Sequence, residues 1–212
     1  MTVVDLSFPL VGTTIPHDHG YLVYAAVTTR IPALHDARWL GIHPVGGRRA
    51  EGVIVLGRAG ELRVRLPAEH IPVLLPLAGS RLDIGKSFVR LGPPAVWPLV
   101  PSAALDARLV LLKLTRPPTR MNADLEREVL DNEAIADRYR AELGRQLEAI
   151  DVTANLELCG RRSMTVRQKR LLGYSVRLSG LDAEASVRVQ AHGLGGRRAL
   201  GCGIFRPTRA AV

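Results

Sequence analysis

Both halves of this chain carry the same order of predicted elements, and that order limits the folds open to it. In the first half, the apolar stretch VVDLSFPLVG predicts a strand, and the segment from Tyr21 to Pro32 has helical spacing. The strands RWLGIHPV, EGVIVLG and ELRVRLP, the helix PAEHIPVLLPLAG and the strands of RLDIGKSFVRLG follow. We interpret this order as strand, helix, two strands, helix, strand, which is the ferredoxin-like plan.

The second half repeats the plan. The strand ARLVLLKLTRP precedes the longest helical pattern, MNADLEREVLDNEAIADRYRAELGRQLEAI, for which Asn122 or Asp124 is a candidate N-terminal cap. NLELCGRRSMTVRQKRLLGYSVRLSG predicts a strand, a basic hairpin and another strand. DAEASVRVQAHG predicts a short helix with Asp182 at its start, and the strand IFR comes last. The sequence therefore predicts an α+β fold with two tandem ferredoxin-like (βαββαβ, RRM-like) domains.

A proline-dense segment, GPPAVWPLVPS, separates the two halves and is typical of a linker. We place the N-terminal domain at 1–98 and the C-terminal domain at 105–212. No apolar run approaches the roughly 20 residues that a membrane span needs, and the start MTVVDLSFPL lacks the features of a signal peptide. The two cysteines, Cys159 and Cys202, favour reduced thiols. We expect a soluble cytoplasmic protein with no membrane partner.

The positive charge of the chain is concentrated near its C-terminus. Of the formal net charge of +9 at pH 7, the residues from Leu156 onward carry +8, with eleven Lys or Arg and three Asp or Glu. A GC-rich coding bias explains why arginine outnumbers lysine, but it does not explain this uneven distribution. Such asymmetry favours a polyanionic partner, most often nucleic acid.

A glycine-rich run, HGLGGRRALGCGIFRP, begins at His192 and contains the pair Arg197 and Arg198. A dinucleotide-binding loop should follow the first strand and open a helix, whereas this run follows a helix and precedes the last strand. A Walker loop would need a GK[ST] motif, which this run lacks. We interpret it as a loop whose backbone amides approach phosphates, with the arginines supplying charge. The alternative is a tight structural turn.

The run GLGGRRALGCGIFRP resembles the C-terminal glycine-rich signature of the CRISPR-associated repeat-RNA endoribonucleases, the Cas6 family. The opening VDLSFPLVGTTIPHDHGYLVYAAVTTRIPALH is similar to the N-terminal unit of a short subgroup of that family, and GYSVRLSGLDAEASVRVQAHG fits its final strand and helix. The middle of the chain, 46–150, agrees mainly in length and in element order. The resemblance implies two ferredoxin-like domains, which agrees with the predicted order.

The resemblance also implies the reaction. The ribose 2′-hydroxyl attacks the neighbouring phosphate, without metal or cofactor, and leaves a 2′,3′-cyclic phosphate and a 5′-hydroxyl. Such chemistry needs a base, an acid and positive charge on the phosphorane. Histidine suits the proton transfers because its unperturbed pKa is about 6.5.

The family often places its histidine at or just after the first helix, so the resemblance favours His35 among the six histidines. His19 and His43 are the alternates. The pair His17 and His19 suggests metal ligands, but no matching Cys/His cluster accompanies it, so no metal site is expected. The resemblance further suggests Tyr21 or Tyr24 for proton transfer and Arg38 or Arg48 for the phosphorane. Lysine is absent near His35, which departs from the family pattern, and some relatives have no catalytic histidine.

RNA contacts are expected from two segments, the basic hairpin and the glycine-rich run. Strand alternation would place Arg167 and Lys169 on one face of the hairpin, where a solvated edge strand is the alternative. With 4% aromatic residues, base stacking on a sheet face is not expected. The residues expected to bind RNA are Arg161, Arg162, Arg167, Lys169, Arg170, Gly193, Gly195, Gly196, Arg197, Arg198, Gly201 and Gly203.

The expected partner is CRISPR repeat RNA in the form of a stem-loop, retained after cleavage, with other subunits of an effector complex as further partners. Two alternatives stay open at this point. One is a non-catalytic RNA-binding subunit of a CRISPR ribonucleoprotein with the same fold. The other is an unrelated α+β protein whose glycines serve only the fold.

Overall fold

The structure is a computed structural model that describes residues 2–58, 60–113 and 133–208. The strands are β1 (Val3–Val11), β2 (Thr14–Pro16), β3 (Gly41–Ile42), β4 (Arg48–Ala50), β5 (Val53–Val55), β6 (Glu61–Pro67), β7 (Arg81–Ile84), β8 (Ser87–Leu91), β9 (Ala95–Pro98), β10 (Ala104–Val110), β11 (Asn155–Val166), β12 (Lys169–Ser179) and β13 (Arg206–Pro207). The α-helices are α1 (Gly20–Arg30), α2 (Ile71–Leu74), α3 (Glu133–Glu148) and α4 (Ala183–His192).

The described residues divide into two compact units. The first comprises Met1–Leu99, Met164–Arg170 and Arg197–Gly201, and the second comprises Val100–Ser163, Leu171–Gly196 and Cys202–Val212. Two short segments from late in the sequence therefore belong to the first unit. They are the tip of the β11–β12 hairpin and part of the glycine-rich run.

The main sheet of the first unit has the strand order β3-β6-β1-β8-β7, and all neighbouring strands are antiparallel. Alternate side chains of β1, among them Leu6 and Phe8, are fully buried in the hydrophobic core with Val23 and Val27 of α1. The opposite face of β1 carries polar residues such as Asp5 and Ser7. The central position of β1 between β6 and β8 is that of the first strand of a ferredoxin-like domain.

The predicted linker is wrong in its first part, because β9 is a strand. Residues Ala95–Pro98 pair antiparallel with Val4–Ser7 of β1, continuing along the same side of β1 on which β8 pairs Leu10 and Val11. Pro93 and Pro94 lie between β8 and β9. They lack the N–H that a continuous ladder needs, so the strand is interrupted there.

Two other expectations for the first half differ in detail. The segment TTIPHDHG, expected to be a turn, contains β2, which pairs with β5 in a small sheet of order β2-β5-β4. The helix expected in PAEHIPVLLPLAG is a single α-helical turn, α2, between the 3₁₀ turns Ala68–His70 and Leu75–Leu77. Pro72 and Pro76 explain the interruption because each removes a helical hydrogen-bond donor.

The second unit has a sheet of order β11-β12-β10-β13, with α3 and α4 supplying its helices. Tyr139 and Leu143 of α3 share a core with Val176, Val189 and Phe205. Asp182 caps α4 as predicted, since its Oδ1 accepts the N–H of Ala185 at 2.8 Å. The strand predicted at IFR is displaced to β13. The cap candidates Asn122 and Asp124 lie outside the described residues.

Within the described residues, no helix combines the length and the hydropathy needed to cross a membrane.

Candidate functional site

A cleft of about 760 Å³ lies within the first unit. Three segments line it, and they come from helix α1, from the tip of the β11–β12 hairpin and from the glycine-rich run. The lining residues are Tyr21, Tyr24, Val166, Arg167, Gln168, Lys169, Arg197, Ala199 and Leu200. The cleft thus combines two phenols with three cationic side chains.

Gly20, the first residue of α1, permits the close approach of these segments. A Cβ at this position would lie 2.5 Å from the carbonyl oxygen of Leu200 and 3.0 Å from Cε of Met164. Any larger side chain would therefore push the glycine-rich run or the hairpin tip away from α1. The absence of a side chain at Gly20 is required for the cleft to close to its present width.

The hairpin tip is held to the residues around the start of α1 by two polar contacts. The backbone N–H of Thr165 donates to Oδ2 of Asp18 at 2.7 Å. Nε of Arg167 donates to the hydroxyl oxygen of Tyr21 at 3.2 Å. Arg167 has a left-handed backbone, with φ of 46°, and lies in the turn between β11 and β12. Arg167 and Lys169 share the cleft because of this turn, and not because of strand alternation.

His35 adjoins the cleft through Tyr24. The Tyr24 hydroxyl donates to the backbone carbonyl of His35 at 2.7 Å, and the two ring centroids are 6.1 Å apart. Burial, followed by the charges of Asp36 and Tyr21, raises the pKa of Tyr24 above its ordinary value. His35 itself is exposed and is not among the residues that line the cleft. Arg38 and Arg48 are also exposed, but neither lines the cleft.

His19, an alternate for catalysis, is committed to the fold. It is 2% exposed, and its Nε2 accepts the backbone N–H of Val45 at 3.0 Å. Its Nδ1 therefore carries the proton and donates toward the carbonyls of Pro16 (3.0 Å) and His17 (3.1 Å). Val45 lies 26 residues from His19, so no local sequence pattern indicates this hydrogen bond.

His43, the other alternate, belongs to a buried charge cluster that we define as Asp5, His43, Arg65 and Arg198. His43 Nε2 lies 3.2 Å from Oδ1 of Asp5, and His43 is 3% exposed. Arg65, which is 1% exposed, donates to both Asp5 oxygens, from Nε at 2.8 Å and from Nη2 at 3.0 Å. Burial raises the pKa of Asp5, but the hydrogen bonds and charges of His43 and Arg65 outweigh it and hold that pKa well below its ordinary value.

The two arginines of the glycine-rich run have different environments. Arg197 is exposed, has a left-handed backbone with φ of 64°, and lines the cleft. Arg198 is half-buried. Its desolvation, together with the charge of Arg65, lowers its pKa to about 10, while Asp5 acts in the opposite direction. The sequence grouped these neighbours as RNA ligands, whereas the structure places only Arg197 in the cleft.

The glycines of the run do not offer free amides to a phosphate. The N–H of Gly193 donates to Val189, that of Gly196 to Leu111 and that of Gly203 to Leu109, all at backbone carbonyls. The N–H of Gly201 donates to the carbonyl of Arg198, and that of Gly195 to Oε1 of Gln146. The expectation of a bare amide cradle is therefore corrected, because all five donors are already used within the protein.

What these glycines provide is close backbone packing. A Cβ at Gly203 would lie 2.0 Å from the carbonyl oxygen of Leu194, and one at Gly195 would lie 2.6 Å from that of Leu111. Both have positive φ, 65° and 74° respectively. At Gly196, by contrast, an added Cβ would meet nothing within 4 Å. The alternative of a structural turn therefore describes most of the run.

The remaining predicted residues are exposed but lie outside the cleft lining. Arg161, Arg162 and Arg170 are on the strands of the basic hairpin. His70 stacks on Trp39 with ring centroids 4.2 Å apart. His192, at the end of α4, contacts the carbonyl of Arg188 through Nδ1. No group of three or more His, Cys, Asp or Glu side chains in the described part of the chain is arranged to hold a metal ion.

Comparison with known proteins agrees with this fold. The protein described as "Characterization of a Cas6-related gene from Pyrococcus furiosus" superposes with a TM-score of 0.67 at 15% identity, over 96% of this chain and 98% of that one. A second protein, described as "An RAMP protein binding different RNA substrates", superposes with a TM-score of 0.68 at 12% identity, over 97% of this chain and 100% of that one. The predicted class, an α+β protein with tandem ferredoxin-like domains, is confirmed.

The sequence matches are more specific. The family model described as Cas6 Crispr matches residues 4–210. The "CRISPR-associated endonuclease Cas6" of Myxococcus xanthus (strain DK1622) is 37% identical over 208 residues, which cover 98% of this chain and 82% of that protein. The chain belongs to the Cas6 family. The resemblance noted from its two ends therefore holds over nearly its whole length.

Proposed function

We propose that this chain is a metal-independent endoribonuclease that cuts CRISPR repeat precursor RNA into guide RNAs and retains the product. The observation that carries the proposal is the cleft in a member of the Cas6 family, where Tyr21 and Tyr24 face Arg167, Lys169 and Arg197. The relative from Myxococcus xanthus, named as an endonuclease, supports the same activity.

We assign the proton transfers to His35 and Tyr21. His35 removes the proton of the ribose 2′-hydroxyl, and the 2′-oxygen then forms a bond to the adjacent phosphorus. The bond from phosphorus to the 5′-oxygen breaks, and Tyr21 supplies the proton to this leaving oxygen. Because the Tyr21 oxygen accepts a hydrogen bond from Arg167, its own proton is available to donate. The nearby guanidinium then stabilises the phenolate.

The cations of the cleft stabilise the phosphorane. Arg167, Lys169 and Arg197 are exposed and line one cleft, so a phosphate bound there meets three positive charges. This sequence lacks a lysine near His35, where it departs from the family pattern, and Lys169 of the hairpin supplies a lysine charge in the cleft. Arg38, on the exposed turn after His35, contacts the RNA backbone at the edge of the site.

The exposed arginines of the hairpin extend the RNA surface beyond the cleft. Arg161, Arg162 and Arg170 bind the phosphates of the repeat stem, which is recognised by shape and charge. Together with Arg197 they hold the cleaved product.

The test is incubation of labelled repeat RNA from the host array in EDTA, with wild type, His35→Ala and the control His192→Ala. We expect wild type and His192→Ala to cut the RNA, and His35→Ala to be slower by about 10²- to 10⁴-fold with binding retained. Cleavage by all three proteins would refute the role of His35. Binding without cleavage by wild type would identify a non-catalytic RNA-binding subunit, and the absence of both would refute the proposal.

A further inference from the structure

The hairpin of β7 and β8 exposes an aromatic ring on the sheet face opposite to α1. Leu82, Ile84, Val89 and Leu91 are buried in the core of the first unit. The alternate residues Arg81, Asp83, Phe88 and Arg90 are exposed. Phe88 is 56% exposed, which is unusual for a phenylalanine on a sheet that has a well-packed core. None of these residues lines the cleft described above.

Arg81 and Phe88 form a fixed stack on this face. The guanidinium carbon of Arg81 lies 4.1 Å from the centroid of the Phe88 ring, a cation–π geometry. Asp83 fixes the guanidinium, because its Oδ1 accepts from Nε at 2.9 Å and from Nη2 at 2.8 Å. The Arg81 side chain is 57% exposed. The Arg81 guanidinium and the Phe88 ring therefore form a planar surface with a fixed orientation that is accessible to a ligand.

The charge around this stack favours an anion. The segment 81–91 contains Arg81, Lys86 and Arg90 against the single acidic residue Asp83, a net charge of +2. Arg81 and Arg90 are direct partners across the two strands. Like charges directly opposite each other destabilise a sheet, and an anion bound between them removes that repulsion. An exposed apolar patch for a protein partner would not need these cations.

We propose that the surface formed by Arg81, Phe88, Arg90 and Lys86 binds a single-stranded segment of the RNA that the cleft cuts. One unpaired base stacks on Arg81 and Phe88, and the flanking phosphates contact Arg90 and Lys86. Bases stack readily on arginine planes and aromatic rings, and only unpaired bases are free to do so. The inference rests on the proposed RNA-processing function, and it adds base stacking on a sheet face, which the sequence did not lead us to expect.

The experiment compares two kinds of RNA by fluorescence anisotropy. One is the shortest repeat RNA that wild type cleaves, and the other carries in addition a single-stranded extension of about six nucleotides, at its 5′ end or at its 3′ end. The proteins are wild type, Phe88→Ala, Phe88→Trp and the control Leu75→Ala. Leu75 is matched to Phe88 as an exposed apolar residue, at 46% exposure, on the 3₁₀ turn Leu75–Leu77.

We expect Phe88→Ala to weaken binding of one extended RNA by about 5- to 20-fold and to leave the short RNA unchanged. Phe88→Trp should restore the affinity, and Leu75→Ala should behave as wild type. Equal affinities of wild type and Phe88→Ala for all three RNAs would overturn the inference, and so would an equal loss on the short RNA. Neither result would alter cleavage of the short RNA by wild type, so the proposed function is tested separately.

The contribution of Arg90 and Lys86 is measured separately, from the salt dependence of RNA binding. For the extended RNA, we expect Arg90→Ala and Lys86→Ala each to reduce the slope of log affinity against log salt by about 0.7. The slope for the short RNA should not change. An unchanged slope for the extended RNA would overturn the assignment of phosphate contacts to these two residues.

Discussion

The open cleft and the buried charge cluster lie in the same unit and use similar side chains, but they serve different ends. In the cluster, Arg65 and His43 surround Asp5, and all three are 1–4% exposed. In the cleft, Arg167, Lys169 and Arg197 are exposed, and none of the described residues that line it carries a carboxylate. In the cluster the Asp5 carboxylate is hydrogen-bonded to buried Arg65 and lies against His43, whereas the cations of the cleft are exposed and available to a ligand. Burial therefore separates stabilising arginines from binding arginines, even for the neighbours Arg197 and Arg198.

The prediction with the largest expected effect tests whether the buried charge cluster stabilises the folded protein. Asp5→Asn removes the carboxylate but keeps the shape, and it leaves Arg65 and Arg198 without their counter-charge. We expect the free energy of unfolding, measured by urea denaturation, to fall by about 3–5 kcal/mol. Arg167→Ala in the cleft should change it by less than about 0.5 kcal/mol. Similar values for the two variants would remove the distinction between cluster and cleft.

The pH dependence of stability sharpens the same prediction. The pKa of Asp5 is lower in the folded protein than its ordinary value of 3.8, so the unfolded chain binds this proton more readily. The stabilisation is fully present above about pH 4 and is lost as the pH falls below it. We expect the unfolding free energy of wild type to decline in this range more steeply than that of Asp5→Asn. If the unfolding free energies of the two proteins fell in parallel with pH, Asp5 would not be the source of this pH dependence.

The next prediction compares two glycines of the glycine-rich run, of which Gly203 packs against backbone and Gly196 does not. Gly203→Ala places a Cβ against the Leu194 carbonyl at positive φ. We expect it to destabilise the protein by about 2–4 kcal/mol. Gly196→Ala meets open space and should be neutral within about 0.5 kcal/mol. If RNA binding requires the bare loop itself, Gly196→Ala will instead lose affinity at unchanged stability, and the packing explanation of the run will fail.

The smallest effect concerns binding by one cleft arginine. We expect Arg197→Ala to weaken repeat RNA binding about tenfold and to leave the unfolding free energy nearly unchanged, since the side chain is exposed. Its salt dependence should become shallower by about 0.7–0.9 in the log–log slope. Wild-type affinity and slope in this variant would show that Arg197 does not contact phosphate.

Local signals explain what the sequence predicted well. Asp182 caps α4 because a short acceptor side chain stands just before a helical pattern. The apolar alternation of VVDLSFPLVG predicted β1, and the element order predicted the class of tandem ferredoxin-like domains. These features depend on residues close together in the chain, so their patterns are visible without a structure.

The cleft and the cluster could not be predicted in the same way. Asp5 and Arg65 are 60 residues apart, and Asp18 and Thr165 are 147 apart, so no periodic pattern connects them. The prolines around β9 are typical of a linker, so the sequence did not predict this strand, which pairs with β1. The glycine-rich run was a strong family signal, but its composition could not show that its amides are used internally.

The Asp18–Thr165 contact has a consequence for how the protein is made. The first unit includes Met164–Arg170 and Arg197–Gly201, which the ribosome adds long after it has made α1. A nascent chain that has released its first 99 residues can form the sheet around β1, but it has no cleft. Cleft assembly waits for a loop closure across most of the chain, which favours slow folding. A chain that stops before Arg197 therefore lacks part of the cleft lining.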